Sequence, residues 1–139
     1  MKRVLIFVTS LVLIASILGF SSVKAEAAMG NWHSIGSGCK VRVWVDAYTY
    51  SKSATSIDWY AQTNGKCSTL NYTASLAVSE GYSNYEIKGS FSNRTPTKKF
   101  YISKLRKEHF NQKKAAVDLY VRNSKVSGHV QSHTITVNW

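Results

Sequence analysis

The sequence has little of what most nucleotide and metal sites require. One proline and eight glycines in 139 residues exclude a collagen-like chain and a Pro/Gly-rich disordered one. No GxxxxGK[ST] or GxGxxG phosphate loop occurs, and no HExxH or CxxC pair. We therefore predict neither a cofactor nor a metal. An aromatic content of 12% is nevertheless high enough for a chain that builds a core.

Acidic residues are also scarce. Seven Asp and Glu stand against 18 Lys and Arg, which gives a formal net charge of +11. Such a charge attracts polyanions and accelerates encounter with them. Outside a bacterial cell, the polyanions available to the chain would be teichoic acid, anionic lipid, nucleic acid or an acidic protein.

The N-terminus has the pattern of a secretory signal peptide. Two basic residues at 2–3 precede an apolar run over 4–20, and small residues follow. The triplet Ala25-Glu26-Ala27 fits the cleavage rule, so we place the cut after Ala27, with a cut after Ala25 as the alternative. An uncleaved anchor is the competing interpretation, although the 17-residue run lies at the short end of what a spanning helix needs.

Cleavage after the signal would leave a single small domain. Removing residues 1–27 leaves residues 28–139, with 15 basic and 6 acidic residues. At this length we expect one secreted domain, and we predict a monomer.

The two cysteines, Cys39 and Cys67, both lie in the exported part, where disulfides form and persist. Only one intramolecular pairing exists, and in the chain-entropy model it would stabilise the fold by about 3 to 4 kcal/mol. Two buried free thiols and an intermolecular bridge are the alternatives. An exported even pair offers no reason for one thiol to stay reduced, so a catalytic cysteine is not predicted.

Apolar and polar residues alternate with a period of two along most of the chain after Gly38, which is typical of half-buried β-strands. Seven strands are predicted, over 39–50, 56–63, 69–78, 85–91, 98–103, 115–122 and 129–139. Turn-forming residues separate them. The sequence therefore predicts an all-β fold, a single antiparallel β-sandwich or small barrel of about seven strands.

Two segments between these strands have their own signals. Asn64-Gly65 has the residue types of a two-residue hairpin turn, so we predict a hairpin between the second and third strands. Residues 104–114 are the least strand-like part of the domain. Leu105 and Phe110 predict one short helical turn near 104–112.

Basic residues are most concentrated between positions 94 and 114, where Glu108 is the one acid. Phe100, Tyr101 and Phe110 add flat apolar surface beside the charge. We predict an anion-binding face formed by Arg94, Lys98, Lys99, Lys104, Arg106, Lys107, Lys113 and Lys114. The competing interpretation is a solvated strand edge whose lysines prevent aggregation.

Aromatic residues give a second signal. Trp59 shares an apolar face with Ile57, which predicts a core position. Trp44 lies on a polar strand face with Arg42, where its ring would stack on a sugar or lie in a lipid interface. Burial of both faces of that strand is the alternative. The predicted aromatic contacts are Trp44, Tyr48, Tyr50 and Phe110.

One group of residues suggests an enzyme. Glu108 and His109 beside Arg106 have the residue types of secreted ribonucleases, in which a carboxylate acts as base, an imidazole as acid and a cation holds the phosphate. An extracellular nuclease or other hydrolase using Glu108 and His109 is therefore an alternative function. The spacing matches no specific motif.

Other acidic and histidine positions predict ordinary roles. Without a GxSxG motif, Asp118 within an alternating strand is expected to have a surface role. His129 and His133 on one strand would lie about 13 Å apart, too far to share a metal.

Together these features predict a small secreted cationic binding protein that acts on anionic cell-envelope material without catalysis. Antimicrobial action is a specific form of this function. Teichoic acid or anionic lipid is the expected partner, an acidic protein and unspecific nucleic acid are alternatives, and the expected location is extracellular or cell-wall associated. An inhibitor or immunity-type protein that binds an acidic protein partner is the second alternative function.

Overall fold

The computed structural model describes residues 27–108 and 110–139. The predicted signal peptide, apart from its last residue, lies outside the described residues. Within them, twelve strands and one short helix follow in chain order: β1 (Ala28–Met29), β2 (His33–Gly36), β3 (Cys39–Val45), β4 (Thr49–Tyr50), β5 (Ser56–Thr63), β6 (Leu70–Val78), β7 (Gly81–Tyr82), β8 (Ile87–Phe91), β9 (Lys98–Tyr101), α1 (Ile102–Lys107), β10 (Lys114–Arg122), β11 (Ser127–Gln131) and β12 (Ile135–Val137). In this part of the chain no helix is long and apolar enough to cross a membrane.

The strands form two sheets packed as a sandwich, which confirms the predicted all-β fold. The first sheet has the order β1-β3-β5-β9. β2 also pairs with β3, at residues 39–41, whereas β1 pairs with residues 44–45. The second has the order β4-β12-β10-β6-β7, with β11 also on β10 and β8 also on β6. Several strands have only two or three residues, so their number exceeds the seven predicted. All pairs are antiparallel except β12 and β4, which run parallel.

The core between the sheets is built from the inward-facing apolar side chains of the alternating strands. Trp59 stacks on Phe100 with ring centroids 5.9 Å apart and meets Tyr72 of the second sheet edge-on at 6.0 Å. The core position predicted for Trp59 is therefore confirmed. Fully buried aliphatic residues surround these rings: Val41, Val43, Val45, Ile57, Leu70, Leu76, Leu119 and Ile135.

A disulfide joins the two sheets. Cys39 is the first residue of β3 in the first sheet, and Cys67 lies three residues before β6 in the second. Because both cysteines are in this bond, the predicted pairing is confirmed and the free-thiol and intermolecular alternatives are excluded.

The hairpin predicted at Asn64-Gly65 is wrong. Gly65 has the expected positive φ of 79°, but β5 belongs to the first sheet and β6 to the second. The Asn64 side chain instead closes the β3–β5 end, since its Oδ1 accepts the Lys40 N–H at 3.2 Å and its Nδ2 donates to the Gly38 carbonyl at 2.9 Å. The turn thus starts a crossover between sheets rather than a hairpin.

Three buried hydroxyl residues bridge irregular places in the sheets. Thr95 donates its N–H to the Ala61 carbonyl at 3.0 Å, and its Oγ1 accepts the Ala61 N–H at 3.1 Å. Ser83 makes the same pair of bonds with Leu76, and Ser132 with Val117. Each hydroxyl satisfies a buried backbone donor that a regular ladder would have paired.

Several element boundaries also differ from the prediction. The predicted first strand 39–50 ends at Val45, and its last two residues form β4 in the second sheet. The last strand, predicted as 129–139, is split into β11 and β12 because Ser132 interrupts the ladder along β10. The helical turn occurs as α1, which begins at Ile102 because this residue and Leu105, one turn apart, are both buried. The predicted strand 98–103 accordingly ends at Tyr101.

Candidate functional site

The outer face of the first sheet carries the polar half of the alternation. On β3 the side chains of Lys40, Arg42 and Trp44 point away from the core, as do those of Tyr60 and Gln62 on β5. The register places Arg42 opposite Gln62 and Trp44 opposite Tyr60. Side chains directly opposite each other on neighbouring strands are close enough to interact.

Five side chains on this face form what we call the aromatic–cationic strip, in two contacting groups: Trp32 with Arg42, and Trp44 with Tyr60 and Arg94. The Arg42 guanidinium lies 4.3 Å from the centre of the Trp32 ring. Trp44 and Tyr60 stack with centroids 4.9 Å apart and planes 18° from parallel. The Arg94 guanidinium lies 3.6 Å from the Tyr60 ring centre. The strip crosses three strand spacings, about 14 Å.

The backbone fixes Arg94 at the end of this strip. Arg94 forms an isolated antiparallel bridge with Gln62 near the end of β5. The bridge is on the same edge of β5 with which β9 pairs at residues 56–59. On one side the Thr63 N–H donates to the Asn93 carbonyl at 2.8 Å, and on the other Thr95 is bonded twice to Ala61. The guanidinium is therefore held over the sheet by the path of the main chain.

Arg42 is oriented by a side-chain partner. Its Nε and Nη2 donate to Gln62 Oε1 at 3.3 Å and 3.0 Å. The remaining N–H groups of the guanidinium can serve a ligand, since arginine has five donors in a fixed fork. An open groove of about 490 Å³ lies beside the strip, lined by Trp32, Lys40, Gln62, Thr63 and Asn64.

The positive charge of the domain is largely unneutralised. Of the 15 lysine and arginine residues in the described part, Lys88 and Lys99 are the two that form ion pairs with a carboxylate. Three of the six acids in that part accept hydrogen bonds from other groups: Asp46 accepts from Tyr50, Asp118 accepts from His129 and Gln131, and Glu108 accepts from two backbone N–H groups. The cationic surplus therefore remains available to an external anion.

The residues of the predicted anion-binding face are not all in one environment. Arg94 lies in the strip, whereas Lys99 pairs with Asp58. That hydrogen bond raises the pKa of Lys99 above its ordinary value.

The other predicted cations lie at the helix and near β10. Lys104 lies over the Tyr85 and Tyr101 rings at 5.0 Å and 5.9 Å, and Arg106 donates to the Lys52 carbonyl at 3.1 Å. Lys114 Nζ donates to Thr136 Oγ1 at 2.7 Å. The remaining three are half-buried or exposed: Lys98, Lys107 and Lys113.

The predicted aromatic contacts divide in a similar way. Trp44 lies in the strip and Tyr48 is exposed. Tyr50 is 4% exposed and its hydroxyl donates to Asp46, so the ring does not reach the surface. Phe110 is half-buried and packs edge-on against Trp139 with centroids 5.6 Å apart.

Glu108 and His109 were the basis of the enzyme hypothesis. Glu108 Oε2 accepts the backbone N–H groups of Asn84 at 3.0 Å and Tyr85 at 3.1 Å, which ties α1 to the loop before β8. This contact gives Glu108 a structural role. His109 lies outside the described residues.

Trp32, Arg42 and Tyr60 were not predicted as site residues. Arg42 lies on the same polar strand face as Trp44, so the alternation alone could have identified it as a site residue. Tyr60 could be found only from the β3–β5 register, and Trp32 lies in the connection between β1 and β2, where no periodicity applies. The strip is thus a product of strand pairing.

Metal ligation has no support in the described residues. No group of three or more His, Cys, Asp or Glu is placed there to hold a metal ion. His133 Nε2 is 2.8 Å from the Met29 carbonyl oxygen, whereas His129 Nδ1 is 2.9 Å from Asp118 Oδ2, so the two histidines have separate partners.

Comparison with known proteins finds one curated relative and one family model. A protein of Bacillus subtilis (strain 168) named "Cell wall-binding protein YqgA" is 58% identical over 88 residues, which are 60% of this chain and 62% of that protein. The match thus spans less than two thirds of the relative's length. No solved structure matches the chain. The family model of the YqgA MG2 macroglobulin domain matches residues 25–138, and the chain therefore belongs to the YqgA MG2 macroglobulin domain family.

Proposed function

We propose that this chain binds bacterial cell-wall material without catalysis, through the aromatic–cationic strip of the first sheet. The observation that carries the proposal is the packing of a guanidinium group on a ring at each end of the strip, Arg42 on Trp32 and Arg94 on Tyr60. Its proposed ligand is an anionic wall polymer such as teichoic acid.

The chemistry of the strip suits such a polymer. Aromatic faces pack against the apolar faces of sugar rings, and guanidinium forks pair with phosphate or carboxylate groups in two-point geometry. Here the rings and cations are already held against one another, so little side-chain entropy is lost on binding. The unpaired cations elsewhere on the domain would add long-range attraction to an anionic wall.

The relative's name supports cell-wall material as the partner. The Bacillus subtilis protein is named as a cell wall-binding protein, which is not the name of an enzyme. Extracellular, wall-associated location is part of the proposal, with residues 1–27 as the cleaved signal and residues 28–139 as the exported domain. The disulfide between Cys39 and Cys67 suits an oxidising location outside the cytoplasm.

Retention on purified surfaces tests the proposal. The oxidised protein is incubated with whole cell walls, teichoic-acid-free walls, anionic vesicles and RNA at low and high salt, and RNA integrity is followed in parallel. We expect retention on whole walls that weakens with salt and with loss of teichoic acid. Stronger retention on vesicles or RNA would show that lipid or RNA, and not a wall polymer, is the ligand of the strip. RNA cleavage that His109→Ala abolishes would establish the nuclease alternative.

Growth inhibition tests the narrower antimicrobial form of the proposal. A protein that binds walls but leaves growth of the tested bacteria unchanged would be a wall-binding protein without that activity. Lack of retention on all four surfaces would contradict the proposal and favour an acidic protein as partner.

A further inference from the structure

The outer face of the second sheet carries a hollow of about 390 Å³ on the opposite side of the sandwich from the strip. Its floor follows the register of four neighbouring strands. His129 is opposite Tyr120, Tyr120 is opposite Thr73, and Thr73 is opposite Lys88. In the next row Asp118 lies between Gln131 and Ser75. The hollow is therefore built on rigid sheet positions.

A buried carboxylate lies at one end of this hollow. The side chain of Asp118 is 3% exposed, Gln131 Nε2 donates to its Oδ1 at 3.1 Å, and its Oδ2 is 2.9 Å from His129 Nδ1. The ordinary surface role predicted for Asp118 is thus wrong. Because His129 faces Asp118 with Nδ1 and its side chain is 56% exposed, Nε2 is left for a ligand.

Two tyrosines flank that histidine. The Tyr120 ring centre lies 5.0 Å from the His129 ring centre and the Tyr82 ring centre 6.5 Å from it. Tyr82 is 57% exposed. Flat rings beside a carboxylate, an imidazole and the hydroxyls of Thr73 and Ser75 are the groups that recognise a sugar, whose ring packs on aromatics while its hydroxyls bond to polar side chains.

The opposite end is cationic. A second hollow of about 250 Å³ shares Thr73, Lys88 and Tyr120 with the first and is also lined by Arg122. Lys88 is paired with Glu86 at 2.8 Å, whereas Arg122 forms no ion pair within the described residues. Arg122 is exposed at the end of β10, so its guanidinium can bind an anion.

We propose that this continuous groove is a second ligand site, which binds an anionic sugar. The sugar ring would lie against Tyr82 and Tyr120 with hydroxyls bonded to His129 and Thr73, and its carboxylate or phosphate would pair with Arg122. This site is independent of the strip. Together the two faces would let one domain contact two polymer segments, which raises retention without new contacts at either site.

Two matched sugars test the site. N-acetylmuramic acid and N-acetylglucosamine differ by the lactyl carboxylate, and each is titrated into the ¹⁵N-labelled oxidised protein while amide shifts are followed. We expect saturable shifts on β6, β10 and β11, with N-acetylmuramic acid binding about fivefold or more tightly, as expected for one added charged hydrogen bond.

Three variants assign the contacts. Tyr82→Ala should weaken both sugars about tenfold. Arg122→Ala should remove the preference for N-acetylmuramic acid and leave N-acetylglucosamine unchanged. Lys52→Ala, at an exposed position outside both sites, should change neither. Tyr82 and Arg122 are exposed, so both variants should keep the native amide spectrum.

Several results would overturn the proposal. These are no shifts on the second sheet, shifts unaffected by both Tyr82→Ala and Arg122→Ala, or equal affinity for the two sugars. Wall retention through the strip is measured separately, with Arg94→Ala. Failure of the second site would therefore be distinguishable from failure of the strip.

Discussion

The guanidinium of Arg94 lies 3.6 Å from the centre of the Tyr60 ring, although the two residues are 34 positions apart in the chain. Tyr60 stacks in turn on Trp44. The contact depends on the pairing of the segment around Arg94 with the end of β5. A cation from a loop and two rings from neighbouring strands thereby form one surface. In the proposed function, loss of the pairing between the Arg94 segment and β5 would therefore weaken binding.

Removing the central ring should weaken binding. In Tyr60→Ala, Trp44 loses its stacking partner and Arg94 loses the ring beneath it, so we expect affinity for purified walls to fall about tenfold. Tyr101→Ala is the matched control, since Tyr101 is 46% exposed on the same sheet and lies outside the strip. Binding isotherms on washed walls measure both. Similar losses in the two variants would show that the strip has no special role.

The hydroxyl bridge at Thr95 should contribute to stability. Thr95→Val keeps the side-chain volume but leaves the buried Ala61 N–H without its acceptor, so we expect the free energy of unfolding to fall by about 1–3 kcal/mol. Urea denaturation followed by tryptophan fluorescence gives the value. The control Thr97→Val, at an exposed position two residues away, should change it by less than about 0.5 kcal/mol.

The disulfide should account for a large share of stability. In Cys39→Ser/Cys67→Ser we expect the free energy of unfolding to be about 3 to 4 kcal/mol lower than in the oxidised protein. The reason is that the unfolded chain regains the entropy of an open loop. Dithiothreitol should produce the same loss in the wild type and none in the double variant. A reductant effect on the double variant would point to a different cause.

Alkaline pH should lower stability partly through Tyr50. Burial, with the hydrogen bond to Asp46 second, raises the pKa of Tyr50 far above its ordinary value of 10.0. The native state therefore keeps this proton while the unfolded state releases it, so stability is full below pH 10 and falls above it. Thermal unfolding of the wild type and Tyr50→Phe from about pH 8 to pH 11 tests this. The wild-type advantage should shrink as pH rises, and a constant difference would refute the assignment.

Local patterns in the sequence were sufficient for much of the fold. The alternation over 56–63 predicted β5 with its observed ends, and the export signal made pairing of Cys39 with Cys67 the natural interpretation. At Asn64-Gly65 the local pattern predicted a hairpin that does not form. A turn dipeptide determines local φ but not the sheet to which the chain continues. Here Asn64 bonds back to the Gly38 carbonyl, and Cys67 is joined to Cys39 at the start of β3.

The site was less accessible to sequence reasoning for a related reason. Density of charge between residues 94 and 114 is a property of the chain order, whereas α1 and the ends of β9 and β10 place those side chains against different neighbours. Trp44 and Arg94 were identified separately, by residue type. Only the register of β3 and β5 and the bridge at Gln62 bring them into one strip.

In the proposed function the strip, rather than positive charge in general, binds the wall. Two double variants remove the same charge at different places: Arg42→Gln/Arg94→Gln in the strip, and Lys104→Gln/Lys107→Gln on α1. Affinity for purified walls at fixed ionic strength is measured for both. We predict a loss of about tenfold or more for the strip pair and less than about threefold for the helix pair. Equal losses, or a larger loss for the helix pair, would show that the wall is bound by positive charge in general and not by the strip.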